Sequence, residues 1–178
     1  MYYRRSRDWR LIEAWNANYR GIGGSVALRG IELLKKNDIA HEILTYRFVK
    51  GARAAADALD VPHEIVVKSL VFRADDGSFL FALLGGDANV SLRNLGRASS
   101  HKHVEAASPR DAERITGYQV GGISPLGARS ALPVYLDETT SEHQYLIINA
   151  GGRGTLVRLA TPDLIRITGA TVADIRAA

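Results

Sequence analysis

Cysteine is missing altogether from this 178-residue chain. Its absence excludes disulfides, a thiolate nucleophile and cysteine-ligated zinc, and it fits a reducing, cytoplasmic setting. No apolar run approaches the roughly 18 residues that a membrane helix needs. There is no internal repeat and no low-complexity tract. Neither sign of charge dominates: 23 Lys and Arg against 19 Asp and Glu leave a net charge of +4. That balance permits a polyanionic partner without requiring one. What is present, 46% hydrophobic and 24% charged residues, is ordinary for a globular protein with one sizeable core.

The chain opens on a basic and aromatic stretch, residues 1–25. Arg4, Arg5, Arg7 and Arg10 oppose Asp8, and Tyr2, Tyr3, Trp9, Trp15 and Tyr19 are interleaved. The apolar core of a secretory signal is not supplied there. The stretch reads as a frayed extension, as a basic arm for RNA phosphates, or as a short helix packed on the body. Gly21, Gly23 and Gly24 separate it from a body spanning 26–178.

Within the body, apolar spacing predicts a helix over 26–34 that stops at Asn37 and Asp38. A strand is expected over 39–46 and an alanine-rich helix over 52–59. Runs 66–73 and 79–84, joined by Ala74-Asp75-Asp76-Gly77-Ser78, signal a hairpin. Ser91 caps a short helix that Gly96 should stop, and Ser108-Pro109 starts another. Strands follow over 134–137, 145–150 and 156–159. Thr161-Pro162-Asp163 opens a helix that ends at Gly169. Hairpins and helices mix without a repeating βαβ rhythm. The predicted class is α+β, a single domain with one mixed, strongly curved, barrel-like sheet flanked by helices.

The most informative stretch is 116–133, TGYQVGGISPLGARSALP. Paired glycines let a backbone approach a ligand closely, and the following Ser-Pro stiffens the turn. The plain alternative is a tight turn between strands. This string resembles the signature loop of the YbaK family of trans-acting aminoacyl-tRNA deacylases, relatives of the editing insertion domain of bacterial prolyl-tRNA synthetase. Residues 33–46, 66–72 and 161–175 resemble that family in the same order, so the resemblance spans roughly 27–176.

The resemblance implies the substrate, a mischarged tRNA: proline tRNA carrying cysteine or another small amino acid, with prolyl-tRNA synthetase as a candidate partner. It implies no metal and no other cofactor. It also distributes roles. Lys68, on an otherwise apolar strand, either snorkels to the rim or faces a cleft; the family match makes it the cleft cation. Gly121 and Gly122 would supply N–H donors to the ester carbonyl, with Ile123, Ser124 and Pro125 completing the substrate loop. Ser124 lacks the surroundings of a nucleophile: a proline follows it, and no Gly-x-Ser-x-Gly elbow or His/Asp partner is in view. Tyr46 would line the pocket. Gly151, Gly152 and Arg153 form a second glycine turn, read either as a simple turn or as a backbone nest with Arg153 holding phosphate. Some family members carry an aspartate shortly after this turn; here Thr155, Leu156 and Val157 follow.

His101 and His103 form a His-x-His pair without a third ligand at recognisable spacing, which favours a solvated loop. The competing function is a non-catalytic module that binds tRNA or a synthetase on the same scaffold. A general small-ester hydrolase is a third reading.

Overall fold

A computed structural model describes residues 28–178; the expected basic and aromatic arm, 1–25, lies outside the described residues. The elements run α1 (Arg29–Lys36), β1 (His41–Thr45), α2 (Ala52–Leu59), a 3-10 turn (His63–Ile65), β2 (Val67–Ala74), β3 (Phe79–Gly85), α3 (Leu92–Ala98), β4 (Val104–Ala106), α4 (Pro109–Thr116), β5 (Val134–Asp137), α5 (Glu138–Ser141), β6 (Tyr145–Gly152), β7 (Thr155–Ala160), α6 (Thr161–Thr168) and β8 (Thr171–Ala173). The α+β class holds.

The single barrel-like sheet does not. The strands form two sheets, ordered β1-β7-β6 and β4-β2-β3-β5-β8. They meet at one parallel bridge, Val66 to Ile147, just ahead of β2. The physical reason lies in β3. Phe81 and Leu83 point into the main core, while Leu80 and Ala82 point into a second cluster with Phe72, Leu95 and Ile175. A strand buried on both faces belongs in the middle of a covered sheet rather than in the wall of a small barrel. The main core lies between the two sheets, where Val67 and Val71 of β2 and Leu136 of β5 meet Leu146 and Ile148 of β6 and Val157 of β7. Leu34 of α1, Leu164 of α6 and Leu126 of the long loop close it.

The predicted hairpin forms with β2 antiparallel to β3, and Lys68 stands opposite Leu84. Gly77 takes φ +84 in its turn, and the Asp76 carboxylate accepts from the Ser78 N–H at 2.9 Å. Ser91 caps α3 as expected, its Oγ accepting from the Asn94 N–H. Gly96 does not stop that helix. It is buried within it, and α3 continues to Ala98. A Cβ on Gly96 would come within 3.0 Å of the His101 carbonyl, so the glycine serves a close approach and not termination. Thr161 is the first residue of α6 rather than its cap; its hydroxyl donates back to the His143 carbonyl.

Helix α1 lies hard against β6. A Cβ on Gly30 would sit 2.5 Å from the Ala150 carbonyl oxygen, a backbone atom, so helix or strand would have to shift. Gly30→Ala is therefore expected to destabilise the protein by about 2 kcal/mol, measured as a lower urea midpoint with an unchanged slope. An unchanged midpoint would mean that α1 can shift away at no cost.

Candidate active site

Strand alternation carries Lys68 to the edge of a cleft of about 420 Å³. The β2 segment forms its floor. The chain after β1 (Phe48, Val49, Lys50) and the first turn of α2 form one side. Ala107 and Ala112, before and within α4, form another, and Gly121 and Ile123 of the long loop close it. The lining is mostly apolar. Small alanines and valines leave room for a small side chain, and Lys68 and Lys50 bring positive charge.

Lys68 is half-buried, and its ammonium donates to the Ala88 carbonyl. Burial lowers its pKa from the ordinary 10.5; Asp87 pulls it back up, while Arg53 and Arg176 push it down. Tyr46 lines the same cleft, and burial raises the pKa of its phenol. The N-terminus of α2 carries no side-chain cap, so its positive end borders the cleft as well.

The long loop is built by its own hydrogen bonds. Gly121 takes φ +92, a conformation that costs an L side chain energy and a glycine little. A Cβ there would also strike the Phe48 ring at 2.7 Å. Ser124 is fully buried, and its Oγ accepts from the Leu126 N–H at 3.1 Å. Leu126 in turn offers its carbonyl to the Tyr118 hydroxyl at 2.8 Å. Ser124 thus acts locally, inside the turn that Pro125 extends.

Tyr46, Lys68, Gly121 and Ile123 are brought together, and Gly122, Ser124, Pro125, Gly151, Gly152 and Arg153 stand behind them. Two expectations change. The Gly122 N–H is spent on the Gln119 carbonyl at 2.8 Å, so it is no free donor. Among the described residues, the amides of Gly121 and Ile123 have no hydrogen-bond partner and border the cleft. The nest at 151–153 is likewise occupied: the N–H groups of Gly151 and Gly152 both donate to Asn149 Oδ1, at 2.7 and 3.1 Å. Arg153 packs its guanidinium over the Phe48 ring, 5.4 Å from the centroid, and donates from Nε to the Val120 carbonyl at 2.9 Å.

The sequence reading missed Asn149 and Phe48. Asn149 Nδ2 donates to the Gly121 carbonyl at 3.1 Å, so one side chain couples the two glycine turns. A polar residue inside an apolar strand run was the available signal. Away from the cleft, Asp75, Asp76 and His101 converge closely enough to share a cation. Spacing alone had not linked His101 to the hairpin turn. Each already has a local partner: Asp75 bonds His101 and the Lys102 N–H, and Asp76 bonds Ser78. His103 stands outside that group.

With this geometry in view, the comparisons define the class. Residues 48–167 match the family of the aminoacyl-tRNA editing domain, and the chain belongs to that family. EbsC of Enterococcus faecalis, a proposed Cys-tRNA(Pro)/Cys-tRNA(Cys) deacylase, is 32% identical over 125 residues, covering 70% of this chain and 76% of EbsC. The proline–tRNA ligase of Lactobacillus acidophilus is 33% identical over 96 residues, 54% of this chain and 17% of the ligase. A crystal structure of a proposed trans-editing enzyme for prolyl tRNA synthetase superposes with a TM-score of 0.78 at 26% identity, over 88% of this chain and 100% of that one. The YbaK-type resemblance is borne out. No helix among the described residues is long and apolar enough to cross a membrane.

Asn149→Ala should loosen both glycine turns together, since it strands two N–H groups and one carbonyl. The expected loss is about 2 kcal/mol, read by chemical denaturation. Asn149→Asp should not restore it, because a carboxylate keeps the acceptor for Gly151 and Gly152 but faces the Gly121 carbonyl without a donor. Full stability in the aspartate variant would refute the assigned bonding.

Proposed function

We propose that the protein hydrolyses the ester joining a wrong amino acid to the 3′ end of a tRNA, acting in trans on proline tRNA charged with cysteine or another small residue. The observation that carries this reading is that Lys68, Gly121 and Ile123 line one cleft of about 420 Å³, the amides of the last two having no hydrogen-bond partner among the described residues. Ester hydrolysis builds negative charge on the carbonyl oxygen, and preorganised N–H donors stabilise that charge. In this reading the amides of Gly121 and Ile123 receive the carbonyl. Lys68 fixes the terminal sugar or phosphate and biases the local field. Tyr46 walls the pocket, and the guanidinium of Arg153, held over Phe48 outside the lining, meets the nucleotide backbone. Water is the nucleophile, or the substrate's own thiol when the amino acid is cysteine. Such chemistry needs orientation and charge stabilisation from the protein, which suits a chain without cysteine. The domain begins at about residue 26, prolyl-tRNA synthetase is a candidate partner, and the cytoplasm is the proposed compartment. EbsC and the ligase matches support the tRNA reading.

The test is deacylation of a panel of charged proline tRNAs. Lys68→Ala should slow ester loss by about 100-fold while the protein still binds RNA. Retention of the ester by the wild type, with RNA affinity intact, would instead mark a binding module. Equal turnover of simple esters lacking tRNA would mark a general hydrolase.

The Lys68 ammonium is the active form, and burial lowers its pKa. Turnover should therefore fall as pH rises through a value below 10.5, once base-catalysed background is subtracted. Lys68→Arg remains charged over that range, so its alkaline fall should vanish even where its neutral rate is reduced. An identical alkaline limb in wild type and Lys68→Arg would assign the limb to another group.

A further inference from the structure

The carbonyl that holds Lys68 belongs to a loop, residues 85–91, braced from outside the cleft. Its first residue, Gly85, donates its N–H to Thr140 Oγ1 at 3.0 Å. Thr140 donates that hydroxyl to Asp137 Oδ2 at 2.9 Å. The same Asp137 oxygen, almost fully buried, receives Arg176 Nε and Nη2, each at 3.2 Å. Arg176 then reaches Asp87 Oδ2 through Nη1 at 3.3 Å. Main-chain bonds complete the clamp: Ser91 N–H donates to the Ile175 carbonyl and Ala177 N–H to the Asn89 carbonyl, both at 2.8 Å. Gly85 and Asp87 thus trace to one buried carboxylate, Asp87 through Arg176, while the far end of the loop is tied to the backbone on either side of Arg176. Of this network only Lys68 lines the cleft; Ala88, Asp87, Asp137 and Arg176 do not.

We propose that Arg176 is a positioning residue for the cleft cation: by bracing Asp87 against buried Asp137, it fixes the loop whose Ala88 carbonyl holds the Lys68 ammonium. This rests on the reading of Lys68 as the functional cation of an editing site. The physical argument is one of reach. A lysine stem has several free torsions, and one carbonyl acceptor localises it only if that carbonyl is itself immobile. The charges facing Lys68 are Asp87 from the loop, Arg53 from α2 and Arg176 from the segment after β8.

The test compares wild type, Arg176→Gln, Arg176→Lys and Asp87→Asn in two measurements. The first is an NMR titration of 13C-labelled lysine, with the Lys68 signal identified by its loss in Lys68→Arg. Arg176→Gln should raise the Lys68 midpoint, because a cation leaves and Asp87 is released. Asp87→Asn should lower it, because the attracting carboxylate is gone while Arg53 and Arg176 remain. Arg176→Lys should titrate near wild type. The second is deacylation of cysteine- or alanine-charged proline tRNA. There Arg176→Gln should lose about 10-fold in kcat with little change in KM, and Arg176→Lys should recover part of it.

An unmoved Lys68 signal in Arg176→Gln and Asp87→Asn would overturn the proposal. So would equal kcat losses in Arg176→Gln and Arg176→Lys that follow only their melting temperatures. If Arg176→Gln does not fold, Asp87→Asn, at an exposed position of the loop, decides. If even wild type leaves every charged tRNA intact, the deacylase reading fails, while the titration still reads whether Arg176 and Asp87 act on Lys68.

Discussion

One side-chain amide ties the cleft together. Asn149 sits near the end of β6, its Oδ1 receiving two glycine N–H groups and its Nδ2 reaching the Gly121 carbonyl. Each turn alone would be a loose glycine-rich loop with a large conformational entropy. Joined through one buried amide, they become a single wall. The bonds also fix which way the amide faces, since only its oxygen can accept the two N–H groups. The Gly121 carbonyl is thereby held, and the N–H groups of Gly121 and Ile123, unpartnered among the described residues, are carried on a braced loop.

Opposite this wall stands a lysine on a strand that has little freedom. At Lys68 β2 is paired with β3, β4 joins its other edge from Phe72 onward, and Val67 and Val71 anchor it in the main core. A register slip would bury the ammonium or expose the valines, so alternation specifies the position of Lys68. The cleft thus lies beside the bridge between the two sheets, with Lys68 on a strand of one and the Gly121 loop tied to the other through Asn149. Apolar walls lower the local dielectric and make those few polar groups count for more than they would in water.

The strands and helices were largely legible, because each has a local cause. The 66–84 hairpin shows alternation around an Asp-Asp-Gly turn, and α4 shows a Ser cap followed by Pro. Short pieces escaped: β4 and β8 are three residues each, held by pairing with β2 and β5 rather than by any pattern of their own. The helix over 92–98 ran through Gly96, because tertiary close packing outweighed that residue's low propensity. One curved sheet became two, because a strand apolar on every residue reads the same whether its two faces meet one core or two.

The sequence by itself determined the class, the lysine strand and the glycine-rich loop, since periodicity and turn chemistry act over a few residues. Tertiary structure alone decided that the Gly122 amide is taken by Gln119, that Asn149 bridges to Gly121, and that Lys68 meets Ala88. The last two pairings join positions 28 and 20 residues apart, and the Arg176–Asp87 bond spans 89. No local rule reaches that far. A hydrogen bond leaves no periodic trace in the chain, and it exists only once packing has brought donor and acceptor within 3 Å or so of each other.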